Sequence, residues 1–319
     1  MTADLSRFAR GRRRSSGNSA VRISISFTGR APSYGAIAGV VATMTIVCSA
    51  FSAPEDLPDH LRDRGHGVPA SIFGTYLAPG ELAIYPYAAY FRDHDLEYNP
   101  HKLGYDENRE HRGRYRASAM QLWIGYGVSS RLAVEVETAL IDATLDKASD
   151  DHSQLPDRLH QSGFTDLEGQ VRLRVLEEAM HRPELFAFAE ITAPSQRRKR
   201  LIGDREWDLK PGLGVARGFS WGTFTVKSSV EYTRDDSSLN IGETTLEYLR
   251  RLTPSIRLFA GIEGGEGGAP DEWELDTGIQ VRASRSIFVK VDNAVALSSK
   301  AMDWAPSAGL MFRFDTTGR

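Results

Sequence analysis

The chain has 319 residues, 41% hydrophobic and 25% charged, with a mean hydropathy of -0.35 and a formal net charge of -3. That hydropathy excludes a bundle of transmembrane helices, and the near-neutral charge carries no electrostatic footprint for nucleic acid. The single cysteine, Cys48, excludes a disulfide framework.

The run from Ala36 to Ala53 is the only long apolar stretch. It follows Arg7, Arg10, Arg12, Arg13, Arg14, Arg22 and Arg30, and ends in small residues before Pro54-Glu55-Asp56. A basic region, an apolar core and a small-residue exit make a secretory signal peptide. The run is short for a membrane anchor and rich in Ala, Ser and Thr. The basic part is long, and a start near Val21 would leave ordinary proportions. Val47 before Cys48 argues against lipidation, which wants a small residue there. We divide the chain into a basic extension plus signal (1–53), a short periplasmic leader (54–79), a barrel (80–314) and a tail (315–319). A disordered linker is the other reading of the leader, which carries Asp59, His60, Arg62, Asp63, Arg64 and His66.

From Glu81 to Phe314 apolar and polar residues alternate. In Glu272–Arg282 one face reads Trp273, Leu275, Thr277, Ile279, Val281, and the other Glu272, Glu274, Asp276, Gly278, Gln280, Arg282. A period of two is a strand with one apolar and one polar face. Twelve such segments, each near the roughly ten residues of a tilted membrane strand, are expected. They are Glu81–Phe91, Arg116–Val128, Arg131–Leu140, Asp166–Leu176, Glu184–Ala193, Trp207–Ala216, Thr223–Thr233, Glu243–Leu252, Ser255–Glu263, Glu272–Arg282, Ser286–Leu297 and Met302–Phe314.

Their connections alternate in length. Ser129-Ser130, Gly218–Gly222, Thr253-Pro254 and Ala283–Arg285 are tight, and Glu177–Pro183 is a little longer. Between them lie Arg92–Tyr115, Ile141–Thr165, Pro194–Glu206, Arg234–Gly242, Gly264–Asp271 and Ser298–Ala301. Short turns on one side and long loops on the other, with an even strand number, mark an all-β antiparallel transmembrane β-barrel of the outer membrane. Trp207, Tyr232, Tyr248, Trp273 and Trp304 fall near strand ends, where an aromatic girdle belongs. A soluble β-sandwich would alternate too, but needs neither the signal nor the loop asymmetry. The terminal Phe312-Arg313-Phe314 is the kind of last-strand end that barrel-assembly machinery engages.

Gly163-Phe164-Thr165-Asp166-Leu167-Glu168, Val171–Leu176, Pro183–Pro194 and Leu209–Phe219 carry a family resemblance. The chain from about Gly80 to Phe314 resembles the outer-membrane transporter family named after the meta-pathway of phenol degradation. That family opens a strand with Gly-x-x-Asp and ends another in Pro-Thr-Gly; here Pro194 is followed by Ser195-Gln196. The resemblance implies uptake of aromatic or other hydrophobic compounds.

The inward face holds both signs of charge, so its groups must pair or be hydrated. Candidate lumen or solute-path residues are Tyr85, Tyr87, Phe91, Trp123, Glu135, Glu137, Arg172, Arg174, Phe186, Phe188, Glu190, Lys227 and Arg257. The charges either select a solute or brace the barrel with ion pairs. The aromatics either line a path or pack against the leader or a folded-in loop. The first long loop, with Asp93, His94, Asp95, Glu97, His101, Asp106, Glu107, Glu110 and His111, matches no metal-site spacing, and no metal or cofactor is assigned. Arg197–Arg200 sits in the third long loop and could meet lipopolysaccharide phosphates. All histidines are expected off the strands, with no His-x-Ser pairing on one and no nucleophile elbow, so no enzyme is expected. The reading is an outer-membrane channel or transporter for a small solute, aromatic or hydrophobic by the resemblance. Its partners are outer-membrane lipid, lipopolysaccharide and the assembly machinery. The alternatives are a closed barrel working through its loops, and an outer-membrane hydrolase.

Overall fold

The computed structural model describes Asp63 and residues 67–195, 198–203, 207–233, 238–264 and 272–317. The expected signal peptide, most of the leader before Gly67, and Arg197 of the basic run lie outside the described residues.

Two short strands come first, β1 (Val68–Pro69) and β2 (Tyr76–Leu77). Then follow β3 (Glu81–Tyr98), helix α1 (Pro100–Leu103), β4 (His111–Gly127), β5 (Leu132–Asp146), β6 (Arg158–Phe164), β7 (Leu167–Leu176) and β8 (Glu184–Ala193). The second half holds β9 (Asp208–Phe219), β10 (Gly222–Thr233), β11 (Ser238–Thr253), β12 (Ile256–Gly264), β13 (Trp273–Arg282), β14 (Ile287–Ala296) and β15 (Trp304–Asp315). From β3 to β15, neighbours in sequence pair antiparallel, β6 with β7 excepted, and β15 returns to β3. β6 and β7 share one place in this ring, β7 against Leu132–Glu137 of β5 and β6 against Leu140–Asp146. The result is a closed barrel of twelve strands, as the alternation predicts.

Alternation sets the two faces. On β4, Met120 is 56% exposed on the outside while Trp123, on the inside, is 1% exposed. Val136, Val171, Leu213, Val226, Leu246 and Val291 continue an outward apolar band around the ring. An apolar surface that encircles a chain needs lipid to cover it. Among the described residues no helix is long and apolar enough to cross a membrane. The links at 128–131, 177–183, 220–221, 254–255 and 283–286 close one end, and the other links, most of them longer, lie at the opposite end.

The strands match the expected twelve, with one systematic departure. β3 runs to Tyr98, β4 begins at His111, β5 reaches Asp146 and β6 is a strand inside an expected loop. β11 likewise begins at Ser238, inside the expected Arg234–Gly242 loop. The run Arg92-Asp93-His94-Asp95 ends the apolar alternation, but backbone pairing continues past a bulge between Asp93 and Leu96. Beyond the band there is no lipid to demand an apolar face, so the periodicity fades while the ladder persists. Tyr98, Leu145 and Leu155 form a small core between these extended hairpins, joined by Leu103 of α1. Asn99 caps α1 by accepting from His101 N, Pro100 opens it, and Gly104 at φ +99° ends it.

Inside, large rings lie over inward glycines of the adjacent strand. Gly214 stands opposite Phe186, Gly212 opposite Phe188 and Gly278 opposite Phe259. A Cβ at any of the three would overlap the facing ring. Overpacking of this kind costs about 1–3 kcal/mol. Gly214→Ala should therefore lower the unfolding free energy of the folded barrel, read by urea titration, by that amount. Gly169→Ala, whose Cβ would meet only Ile191 at 3.7 Å, should leave it nearly unchanged.

Candidate functional site

The lumen contains part of the expected leader. β1 and β2 form a hairpin, with Ala70 N donating to Thr75 O at 2.8 Å and Thr75 N to Ile72 O at 2.9 Å. Gly74 takes φ +56° in its turn. Val68 and Leu77 are fully buried in one cluster with Ala83, Trp123, Ala133, Phe288 and Met311 of the wall. These wall residues lie at the short-turn end, so the hairpin stoppers that end.

Glu135 of β5 is the anchor. Its Oε2 accepts from Ser71 N and Trp123 Nε1, both at 3.1 Å, and from Ser71 Oγ. Its Oε1 lies 3.1 Å from Arg172 Nε, and both side chains are 2% exposed. Arg172 donates from Nε to Gln170 and lies over the Phe186 and Phe188 rings at 5.6 and 5.3 Å. On other sides Phe73 stacks on Phe259 with centroids 4.2 Å apart. Lys290 Nζ donates to Thr75 Oγ1 at 3.2 Å, and Arg313 Nη2 to Tyr76 O at 2.8 Å. Tyr76 Oη donates to Glu184 Oε1 at 3.4 Å, and Glu184 also pairs with Arg174 at 3.5 Å. Below it, Asp63 Oδ1 accepts from Arg251 N at 2.9 Å. Between the hairpin and the β10–β11 wall a space of about 40 Å³ is left, room for water and little else.

On the long-loop side a cavity of about 460 Å³ lies between Phe91, Gln121, Glu137, Ile141 and the 200–203 segment, within the size range of small-molecule sites. At its floor Tyr87 Oη donates to Glu137 and stands beside Gln121. Ile202 and Leu201 roof it, packing on Ala117, Ala143 and Phe91. Leu201 N donates to Gln161 Oε1 at 2.9 Å, fixing that roof to β6.

The wall beside the cavity is where β6 gives way to β7. Thr165 N donates to Ala139 O at 2.8 Å, and Thr165 Oγ1 accepts from Ala139 N at 2.9 Å, so a side chain fills a gap in the ladder. Asp166, buried, accepts from Ser195 N at 2.5 Å, and Ser195 Oγ donates to Thr165 O at 2.9 Å. The Gly-x-x-Asp run and the residue after Pro194 thus meet at one point.

The predicted lumen residues fall into separate places. Tyr85, Trp123, Glu135, Arg172, Arg174, Phe186 and Phe188 are buried around the hairpin or the layer above it. Phe91 and Glu137 line the cavity, and Tyr87 reaches it through its hydroxyl. Glu190 accepts from Gln170 at 2.7 Å, Lys227 pairs with Glu243, and Arg257 reaches Gln280 at 3.5 Å. Ser71, Phe73, Thr75 and Tyr76 were not among them. Their signal was the apolar run Ile72-Phe73-Gly74-Thr75-Tyr76-Leu77 inside an otherwise polar leader.

The expectation for histidines is corrected. His94, His111 and His160 lie on the extended parts of β3, β4 and β6, and His160-Gln161-Ser162 is a His-x-Ser run on a strand. It was missed because these extensions lack the apolar alternation. His160 Nε2 is 3.0 Å from Asp142 Oδ2 on the outer face, and Ser162 stands opposite Asp142. His160 is thus engaged by Asp142 and not by Ser162, and a nucleophile–base link is not formed between them.

No family model and no curated protein matches the chain. Among solved structures the barrel is similar to an outer membrane channel from Pseudomonas putida F1. The TM-score is 0.55 at 14% identity, over 75% of this chain and 97% of that one. The translocator domain of autotransporter NalP from Neisseria meningitidis follows at TM-score 0.45 and 14% identity, over 74% and 89% of the two chains. Outer membrane phospholipase A from Escherichia coli gives 0.41 and 10%, over 74% and 94%. The first of these shows a shared fold, that of an outer-membrane barrel.

Removing one partner of a buried ion pair strands the other charge, at about 3–5 kcal/mol. Glu135→Ala should destabilise the barrel by that order and raise amide hydrogen exchange across 68–77. Glu135→Gln, which keeps acceptors for Ser71 and Trp123, should lose less.

Proposed function

We propose that this chain is an outer-membrane channel for small solutes, with the N-terminal hairpin as its inner stopper. The observation that carries the reading is the cavity of about 460 Å³ between the hairpin and the long loops. The apolar outer band supports membrane residence, with the long loops facing outward and the short turns facing the periplasm. The outer membrane, entered after signal cleavage, is the location, with lipid, lipopolysaccharide and the assembly machinery as partners. The cavity joins apolar walls at Phe91, Ile141 and Ile202 to hydrogen-bonding groups at Gln121 and Glu137. Such a lining suits a small aromatic molecule bearing a hydroxyl. The same class follows from the resemblance to the meta-pathway transporter family. No catalytic step is assigned.

A second reading, a closed barrel that works through its outer loops, draws on the tight fit of the hairpin. Single-channel conductance in planar bilayers separates the two. Under the channel reading the wild type conducts in small steps, Glu135→Ala raises the step several-fold, and phenol reduces the current through both. Phe91→Ala should weaken the phenol effect without changing the step. Silence from both proteins, each shown to be folded by heat-modifiable migration, would leave the closed barrel.

A further inference from the structure

We propose that Glu107, His111 and Asp151 form a binding site for a divalent transition-metal cation of the zinc type, which clamps the two extended hairpins to each other. The site lies on the long-loop side, shares no residue with the cavity, and does not depend on the transport reading. Glu107 comes from the link after α1, His111 opens β4, and Asp151 lies in the 147–157 link between β5 and β6. One ligand atom from each falls within 4.8 Å of the others. His111 Nε2 is 3.2 Å from Glu107 Oε1 and 3.9 Å from Asp151 Oδ1. Zinc–ligand bonds of about 2.0–2.2 Å in a tetrahedron put ligand atoms roughly 3.3 Å apart. The His111–Glu107 spacing already fits, and Asp151 must close in on the other two.

The second observation is the state of His111. Its side chain is fully buried, and Nδ1 has no hydrogen-bond partner. An imidazole that ligates through Nε2 carries its proton on Nδ1. That atom points toward Asp150, whose Oδ2 is 3.7 Å away and half exposed or more, so it is free to close in. Asp151 is held for the task. Tyr98 Oη donates to its Oδ2 at 2.7 Å and Ser153 N to its Oδ1 at 2.7 Å. Burial pushes this carboxyl up, but those hydrogen bonds and Lys147 outweigh it and hold it below the usual range. A ligating carboxylate is in turn hydrogen-bonded by its surroundings, as Asp151 is by Tyr98 and Ser153.

The chain's own cation nearby does not fill the place. Lys147 Nζ donates to Ser153 O at 2.7 Å and Leu155 O at 2.9 Å, and stays 3.9 Å from Asp151 Oδ1. One nitrogen and two carboxylates suit zinc better than calcium or magnesium, which take oxygen alone. Glu107, 30% exposed, marks the entry side, and three protein ligands leave a position for water.

The test is calorimetric titration of zinc chloride into tag-free protein purified from membranes and stripped with a chelator. Saturable binding of one equivalent, absent with magnesium, is expected. His111→Gln should abolish it. Tyr98→Phe, which removes only the hydroxyl on Asp151, should weaken it about 10- to 100-fold. Glu107→Gln, at the exposed edge, keeps the test sound if the buried variants misfold, and should weaken binding at least as much. Zinc should also slow proteolysis within 99–110 and 147–157. His101→Gln and His152→Gln should bind as the wild type does. Binding that is absent in the wild type, or unchanged in folded Glu107→Gln and Tyr98→Phe, would overturn the proposal.

Discussion

The pairing of β15 with β3 is the contact on which the rest of the molecule depends. It joins Asp315 to Glu81 at one end and Trp304 to Arg92 at the other. A sheet with open edges would hold rows of unpaired N–H and C=O groups against hydrocarbon, each costing several kcal/mol. Closure removes both edges at once. It also fixes the meaning of every second residue, because a ring has one inside and one outside. Once lipid takes the apolar set, the polar set has nowhere to go but the lumen.

That lumen is then crowded by its own charges, and the packing follows from the crowding. Arg172 and Glu135 sit almost wholly out of solvent. Neither would be tolerable alone, and each is completed by its neighbours: Gln170 of its own strand and the phenylalanine rings of β8 for the arginine, Trp123 and Ser71 for the carboxylate. The hairpin is therefore more than a plug by shape. Its Ser71 supplies donors that a buried acid needs, and its Thr75 and Phe73 carbonyl serve Lys290 in the same way. Lumen and hairpin satisfy each other's polar groups, which is why a segment with only two short strands can hold its place within the lumen.

What was legible beforehand follows from where lipid imposes a rule. The alternation in Glu184–Ala193 gives the bounds of that strand because both of its ends coincide with the apolar band. β3 was read only to Phe91, since past Arg92 the pairing is maintained by backbone bonds and a small private core, neither of which leaves a period in the sequence. Histidines on those extensions were hidden by the same cause. Inward residues such as Phe186 and Glu135 could be assigned to the lumen by parity alone. Whether they would line a path or pack a plug depended on the leader's position, and no periodicity encodes that. The cavity's roof was likewise out of reach, because Leu201 and Ile202 arrive from a loop in another part of the chain.

The short motif at Gly163 to Asp166 is the instructive exception, a feature visible in sequence whose physical meaning appears only in the fold. Strand six of the chain cannot run on into strand seven as a straight ladder, because Thr165 spends its hydroxyl where a backbone group would go. Asp166 then turns inward and takes the Ser195 amide, so the link after β8 is tied to the very place where the wall is interrupted. Gly163, at φ +146°, sits under Lys199, whose ammonium donates to the Ser162 carbonyl. The result is one hydrogen-bonded patch that holds the cavity's roof and repairs the gap in its side. A residue other than a small hydroxyl at 195 would keep the amide for Asp166 but lose the bond to Thr165 O.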